Sequence, residues 1–174
     1  MGRILQVVGY QNSGKTTFVT EYIKEAVKYK LKVGTIKHHG HGGELTQNDN
    51  GKDTQKHREA GAQVTFVEGN ESFILSSNQI KLTLSQMISL YNTFCLDVIL
   101  IEGFKFEEYP KVVLLRSKED LPMLKKTVNI TCVLASFSLP HEVREKYLIF
   151  SSRDKCIEWL MINEVGEYID NANV

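Results

Sequence analysis

Near the amino terminus the run Gly9-Tyr10-Gln11-Asn12-Ser13-Gly14-Lys15-Thr16 matches the pattern G-x-x-x-x-G-K-[ST] in full, with Thr17 next. Each residue type has a reason to be there. Glycines let the backbone curl until successive N–H groups point inward at a phosphate. A helix that starts at the lysine adds the positive end of its dipole. Lys15 is placed to neutralise the β- and γ-phosphates, and the Thr16 hydroxyl to ligate Mg²⁺. The segment therefore predicts nucleoside triphosphate binding through Gly9, Gln11, Asn12, Ser13, Gly14, Lys15, Thr16 and Thr17, with Lys15 also a catalytic cation.

Such a loop needs an acidic residue at the end of a neighbouring strand to hold the metal, directly or through water. The apolar run at 97–103 (DVILIEG) offers Asp97 and Glu102. They stand ~16 Å apart along a strand, so only one can reach the phosphates. Ligands sit at the carboxyl ends of parallel strands, which selects Glu102 as the second metal and catalytic residue. Asp97 reads as a solvated residue at the strand's start.

Four of the five histidines fall in one stretch: His38, His39, His41 and His57. Lys37 and His38 close a strand, and Asp49 and Asp53 follow. Three readings stand side by side: a transition-metal site, a polar wall around nucleotide or substrate, and a loop with no ligand. For Asp53 a helix-capping role is as good as a catalytic one.

The elements that position these residues alternate between strand and helix. Strands are expected at 3–9, 32–37, 97–103, 112–115, 130–134 and 148–150. Helices are expected at 15–30, 53–60 with Gly61 as C-cap, 84–91, 140–146 with Ser138 as cap, and after Ser152 or Asp154, where Ile157, Leu160 and Met161 form the apolar face. The segment 38–52 reads as a loop. Runs at 64–67 and 72–76 around Gly69-Asn70 predict an antiparallel hairpin. Together these give an α/β fold, a P-loop three-layer sandwich with a mostly parallel central sheet and one hairpin.

Composition narrows the function. The chain has 174 residues, 21 Lys and Arg against 21 Asp and Glu, and 42% hydrophobic residues. That suits a single domain over 1–174 and excludes a disordered tail. Without a basic excess, nucleic acid is not an expected partner. No apolar run approaches ~18 residues, so no membrane span is expected. Met1-Gly2-Arg3 leads into no cleavage site. Cys95, Cys132 and Cys156, odd in number and far apart in sequence, predict buried thiols in a reducing cytoplasm rather than a disulfide framework or zinc site.

Four segments taken together, GYQNSGKTTF (9–18), TIKHHGH (35–41), DNGKDTQKHREAGA (49–62) and DVILIEGFK (97–105), resemble the molybdopterin-guanine dinucleotide biosynthesis protein B family, MobB. The likeness spans residues 3–117. It departs at Gly40 and Asn50, where the family pattern has an Asp soon after the His pair and a Pro before Gly51. The resemblance implies a cytoplasmic, homodimeric GTP-binding adaptor with weak GTPase activity. Such a protein assists a MobA-type nucleotidyltransferase in converting the molybdopterin cofactor to molybdopterin guanine dinucleotide. It implies nucleotide phosphates at 9–17, Glu102 as the Walker B-type carboxylate, and Lys37, His38, Asp49 and Asp53 on the phosphate or substrate side. GTP rather than ATP rests on this likeness, since the chain has no N-K-x-D segment. Two rival readings remain, a small-molecule kinase and a metallochaperone GTPase. The first lacks an arginine-bearing lid segment, the second a long His tract.

Overall fold

The computed structural model describes residues 2–40, 53–77 and 79–169. Its contacts divide the chain into two compact units, Met1–Gly40 with Leu84–Val174, and His41–Thr83.

The larger unit begins with β1 (Arg3–Gly9), α1 (Lys15–Lys28) and β2 (Val33–Lys37). The smaller unit then contributes α2 (Asp53–Glu59), β3 (Val64–Gly69) and β4 (Ser72–Ser77). The larger resumes with α3 (Leu84–Tyr91), β5 (Val98–Glu102), β6 (Lys111–Leu115), α4 (Met123–Lys126) and β7 (Ile130–Ala135). It ends with α5 (His141–Lys146), β8 (Ile149–Phe150), α6 (Arg153–Ile162) and β9 (Glu167–Tyr168).

The sheet order is β2-β5-β1-β6-β7-β8, all parallel, with β9 antiparallel against the start of β1. Period-two alternation explains the three layers. Leu5, Val7, Val98 and Leu100 pack on one face with Phe18, Tyr22, Ala26, Ile157 and Leu160 of α1 and α6. Ile4, Ile99 and Ile101 face the other way onto Leu84 and Ile88 of α3. Val8, Val113 and Val133 do the same with Met123 and Leu124 of α4. β5 is apolar on both sides because both sides are covered.

Several expected boundaries move, each for a local reason. The first helix ends at Lys28, not 30. Lys30 takes a left-handed φ of +58°, and Leu31 N–H returns to Ala26 O at 3.1 Å, reversing the chain. Asp97 lies outside β5 and is not merely solvated, since its carboxylate accepts the Lys32 N–H at 2.7 Å. Gly103 leaves the strand at φ +99°. Pro140, not Ser138, precedes α5, with no side-chain cap. Ser152 rather than Asp154 caps α6, accepting from Lys155 N. The short α4 and β9 were not expected. Cys95 is exposed rather than buried, whereas Cys132 and Cys156, distant in sequence, are buried with their Sγ atoms 3.7 Å apart. The hydrogen bond with the Cys156 thiol, and then burial, push the Cys132 thiol far above its ordinary range.

In the smaller unit β3 and β4 form the antiparallel hairpin. Its turn centres on Asn70-Glu71, one residue later than expected, both left-handed at φ +49° and +59°. Gly61, at φ +110°, ends α2, where its N–H bonds Arg58 O and Ala62 N–H bonds His57 O. Asp53 is the first residue of α2.

Candidate functional site

Every parallel strand of the larger unit ends on the same edge, and the glycine loop lies there between β1 and α1. Gly9 has no room for a side chain. A Cβ on it would stand 2.3 Å from Ser13 Oγ and 2.8 Å from Leu114 O. Gly14 is held at φ +85°, a conformation costly for other residues, and its carbonyl accepts the first helical N–H from Phe18. Asn12 is also left-handed at φ +59°. The loop thus turns into α1 with the helix's first N–H groups facing the edge.

Register brings the key side chains together. Val7 and Lys37 both pair with Glu102 across the sheet. Thr16 Oγ1 donates to Glu102 Oε1 at 2.9 Å. Lys37 Nζ donates to Thr16 Oγ1 at 3.1 Å and ion-pairs with Glu102 Oε1 at 2.9 Å. The carboxylate is nearly buried. Two hard oxygens therefore share one cation, here the Lys37 ammonium, and oxygen donors of this kind suit Mg²⁺. Lys15 Nζ bends back to Gly9 O at 3.1 Å and Tyr10 O at 2.7 Å. Burial pulls the Lys15 ammonium below its ordinary pKa. Glu102 pulls it back up, and Lys37, Arg116 and Lys105 push it further down. Among the groups that act on the Lys15 charge, a single carboxylate, Glu102, stands against three further cations.

The turn after β5 is fastened from below by Gln6. Its Nε2 donates to Gly103 O at 3.1 Å and Phe104 O at 2.9 Å. A Cβ on Gly103 would approach His38 Cβ to 3.0 Å. His38 N–H donates to Glu102 O, and its ring packs on Phe104 at 4.7 Å between centroids.

The structure thus brings Gly9, Gln11, Asn12, Ser13, Gly14, Lys15, Thr16, Thr17, Lys37, His38 and Glu102 to one unit and one edge. Asp49 and His41 lie outside the described residues. Asp53 belongs to the smaller unit, where it is exposed and pairs with Lys56 at 3.2 Å. Among the described residues no three His, Cys, Asp or Glu side chains gather as a metal cluster.

Four residues escaped the sequence reading: Gln6, Lys105, Arg116 and Arg153. Lys105 Nζ lies 5.8 Å from the Tyr10 ring centroid and 5.0 Å from that of Phe106. Arg116 follows β6 directly and is held by the buried Asp120, whose carboxylate accepts from its N, Nε and Nη2. Arg153 follows β8 and pairs with Glu21. Applying the strand-end rule to every strand would have found both arginines. Gln6 had no such signal, because a lone glutamine in an apolar strand carries none.

The family model described as molybdopterin guanine dinucleotide synthesis protein B matches residues 4–136. A probable molybdopterin-guanine dinucleotide biosynthesis adapter protein of Bacillus subtilis is 47% identical over 131 residues, 75% of each chain. The Escherichia coli molybdopterin-guanine dinucleotide biosynthesis adapter protein is 34% identical over 116 residues, 65% of each. The crystal structure of Bacillus subtilis MobB superposes with a TM-score of 0.79 at 40% identity, over 95% of this chain and 99% of that one. A MobB homologue from Bacillus stearothermophilus gives 0.74 at 35%, over 92% and 96%.

Proposed function

The chain belongs to the molybdopterin guanine dinucleotide synthesis protein B family, and from that premise we propose that it is an adapter protein of molybdopterin guanine dinucleotide synthesis that binds GTP with Mg²⁺ and turns it over slowly. The observation that carries the nucleotide reading is the Thr16–Lys37–Glu102 cluster beside a glycine loop whose lysine, among the described residues, bonds that loop's own carbonyls and keeps a donor spare.

Lys15 exchanges the Gly9 and Tyr10 carbonyls for the β- and γ-phosphate oxygens, which as anions are the stronger acceptors. Loop N–H groups and the α1 terminus hold the remaining phosphate charge. Thr16 and Glu102 would hold Mg²⁺, directly or through water, and the ion would neutralise phosphate oxygens. Lys37 then moves from the two oxygens it now bridges to the terminal phosphate. Rapid hydrolysis also needs a group that orients the attacking water. Among the described residues, the one further side chain that reaches the Thr16 hydroxyl and the Glu102 carboxylate is Lys37, a cation and not a base for water, so this arrangement favours binding over turnover. An adapter of this kind would present nucleotide or molybdopterin to a MobA-type nucleotidyltransferase. Its free thiols fit work in the reducing cytoplasm.

Calorimetric titration of the full chain with GTP and ATP, with and without Mg²⁺, tests the reading. GTP is expected to bind more tightly than ATP, and Lys15→Ala to weaken GTP on the order of 100-fold. ATP preference would favour a kinase, and no binding would remove the nucleotide reading.

A homodimer is part of the same proposal. The hairpin exposes Phe66 stacked on Phe73 (centroids 5.2 Å apart) with Leu75 on one face, and Val67 beside Ile74 on the other. α2 reaches β3 where Arg58 bonds the buried Thr65, but the apolar residues further along both faces stay exposed, and a second copy would cover them. Light scattering at micromolar concentration should return twice the chain mass, and a monomer mass would sink this part.

A further inference from the structure

Arg153 opens α6 just beyond β8 and lies outside the residues matched by the family model. Its Nη1 donates to both carboxylate oxygens of Glu21 on α1, at 2.8 and 3.0 Å. A Cβ placed on Gly14 would stand 3.8 Å from its Nη2, so the guanidinium lies against the last turn of the glycine loop. Its Nε is buried with no partner. Glu21 therefore fixes the fork while leaving donors over beside the phosphate loop.

Sheet order decides which end of a nucleotide these donors meet. β5 and β2, bearing Glu102 and Lys37, lie on one side of β1, whereas β6, β7 and β8 lie on the other. A triphosphate whose terminal phosphate meets Lys37, Thr16 and Glu102 runs along the loop away from them, toward the β6–β8 side. The nucleoside then falls on the flank where Arg153 stands. A guanidinium only donates, so it takes acceptors, and ribose oxygens and the purine O6 and N7 provide them.

We propose that Arg153, oriented by Glu21, contacts the nucleoside end of the bound nucleotide, making α6 part of the binding site. The proposal rests on the nucleotide reading above, and the test separates the two. Full-length protein with Mg²⁺ is titrated with GTP, GDP and inorganic tripolyphosphate, which has the phosphates but no nucleoside. Arg153→Ala should weaken GTP and GDP alike, about tenfold, and leave tripolyphosphate within about twofold. Arg153→Lys keeps a cation on Glu21 and the docking of α6, and should recover only part of the loss because it lacks the fork. Unchanged GTP and GDP affinity in Arg153→Ala would overturn the proposal. So would an equal loss for tripolyphosphate, which would place the effect in the loop. Wild-type protein that binds tripolyphosphate as tightly as GTP would overturn it too, with the phosphate site intact. Wild-type protein that binds none of the three would bring down the nucleotide reading and this proposal with it.

Discussion

Lys15 and Lys111 stand at opposite ends of the same sheet, and both turn their ammonium groups onto backbone carbonyls. Lys111, at the start of β6, is fully buried and donates to Glu107 O, Tyr109 O and Val128 O, each at 2.7 Å. An ammonium has three donors, and here all three are used. Lys15, at the carboxyl end, has two loop carbonyls and a third donor left over. Burial lowers the pKa of both. Around Lys111 only carboxylates, Glu108 and Glu107, act on the charge, whereas around Lys15 three further cations oppose a single Glu102. One end of the sheet is closed electrostatically and the other is left open to an anion. A buried cation is therefore a sign of function here only where its compensation is incomplete.

Exchanging the two side chains for apolar ones should separate these roles most sharply. Lys15→Ala, which is expected to abolish most GTP affinity, should move the melting temperature by no more than ~2 °C, because lost bonds are offset by relief from like charges. Lys111→Met should do the reverse. It strands three buried carbonyls, at a cost of about 3 kcal/mol, which lowers the melting temperature of a domain this size by about 6–12 °C. Its GTP affinity below that melting point should match wild type. Differential scanning calorimetry beside titration reads both quantities. A Lys111 variant that melts normally, or a Lys15 variant that unfolds, would break the contrast.

The same contrast explains what the sequence made legible. The open end is written in local code. The glycine spacing, the lysine and threonine after Gly14, and a carboxylate ending an apolar strand all follow from rules that apply within a few residues. The sheet alternation that assigns Ile4, Leu5, Val7 and Val8 to opposite faces is equally local. What stayed hidden depends on distant pairs. Gln6 reaches Gly103 and Phe104 nearly a hundred residues on, Arg153 reaches Glu21 over a separation of 132, and Cys132 meets Cys156 only because α6 covers β7. Lys111 carries no signal of its own in the sequence, since nothing in its neighbours announces three converging carbonyls. Helix ends were misread where a left-handed residue such as Lys30 stands in place of the usual glycine.

The smallest expected effect concerns a charge pair at the open end. Asp120 is buried beneath Arg116, whose side chain and backbone N–H hold its carboxyl below the usual aspartate range. The sign follows from linkage. A carboxyl whose pKa is lower folded than unfolded adds stability that is fully present above its unfolded value, about pH 4, and is lost as pH falls through the folded value. Asp120→Asn should therefore melt lower than wild type at pH 7, by about 1–3 °C for a partly screened pair. The two melting curves should converge as the pH falls below the ordinary aspartate range and through the lower folded value. The carboxamide keeps an acceptor for the Arg116 N–H, so GTP affinity should hold within about twofold, while Arg116, already one of the cations acting on Lys15, loses the carboxylate that offsets it. A gap in melting temperature that persists unchanged down to low pH would show that Asp120 acts through packing and not through charge. The electrostatic account of the open end would then rest on Lys15, Lys37 and Glu102 alone.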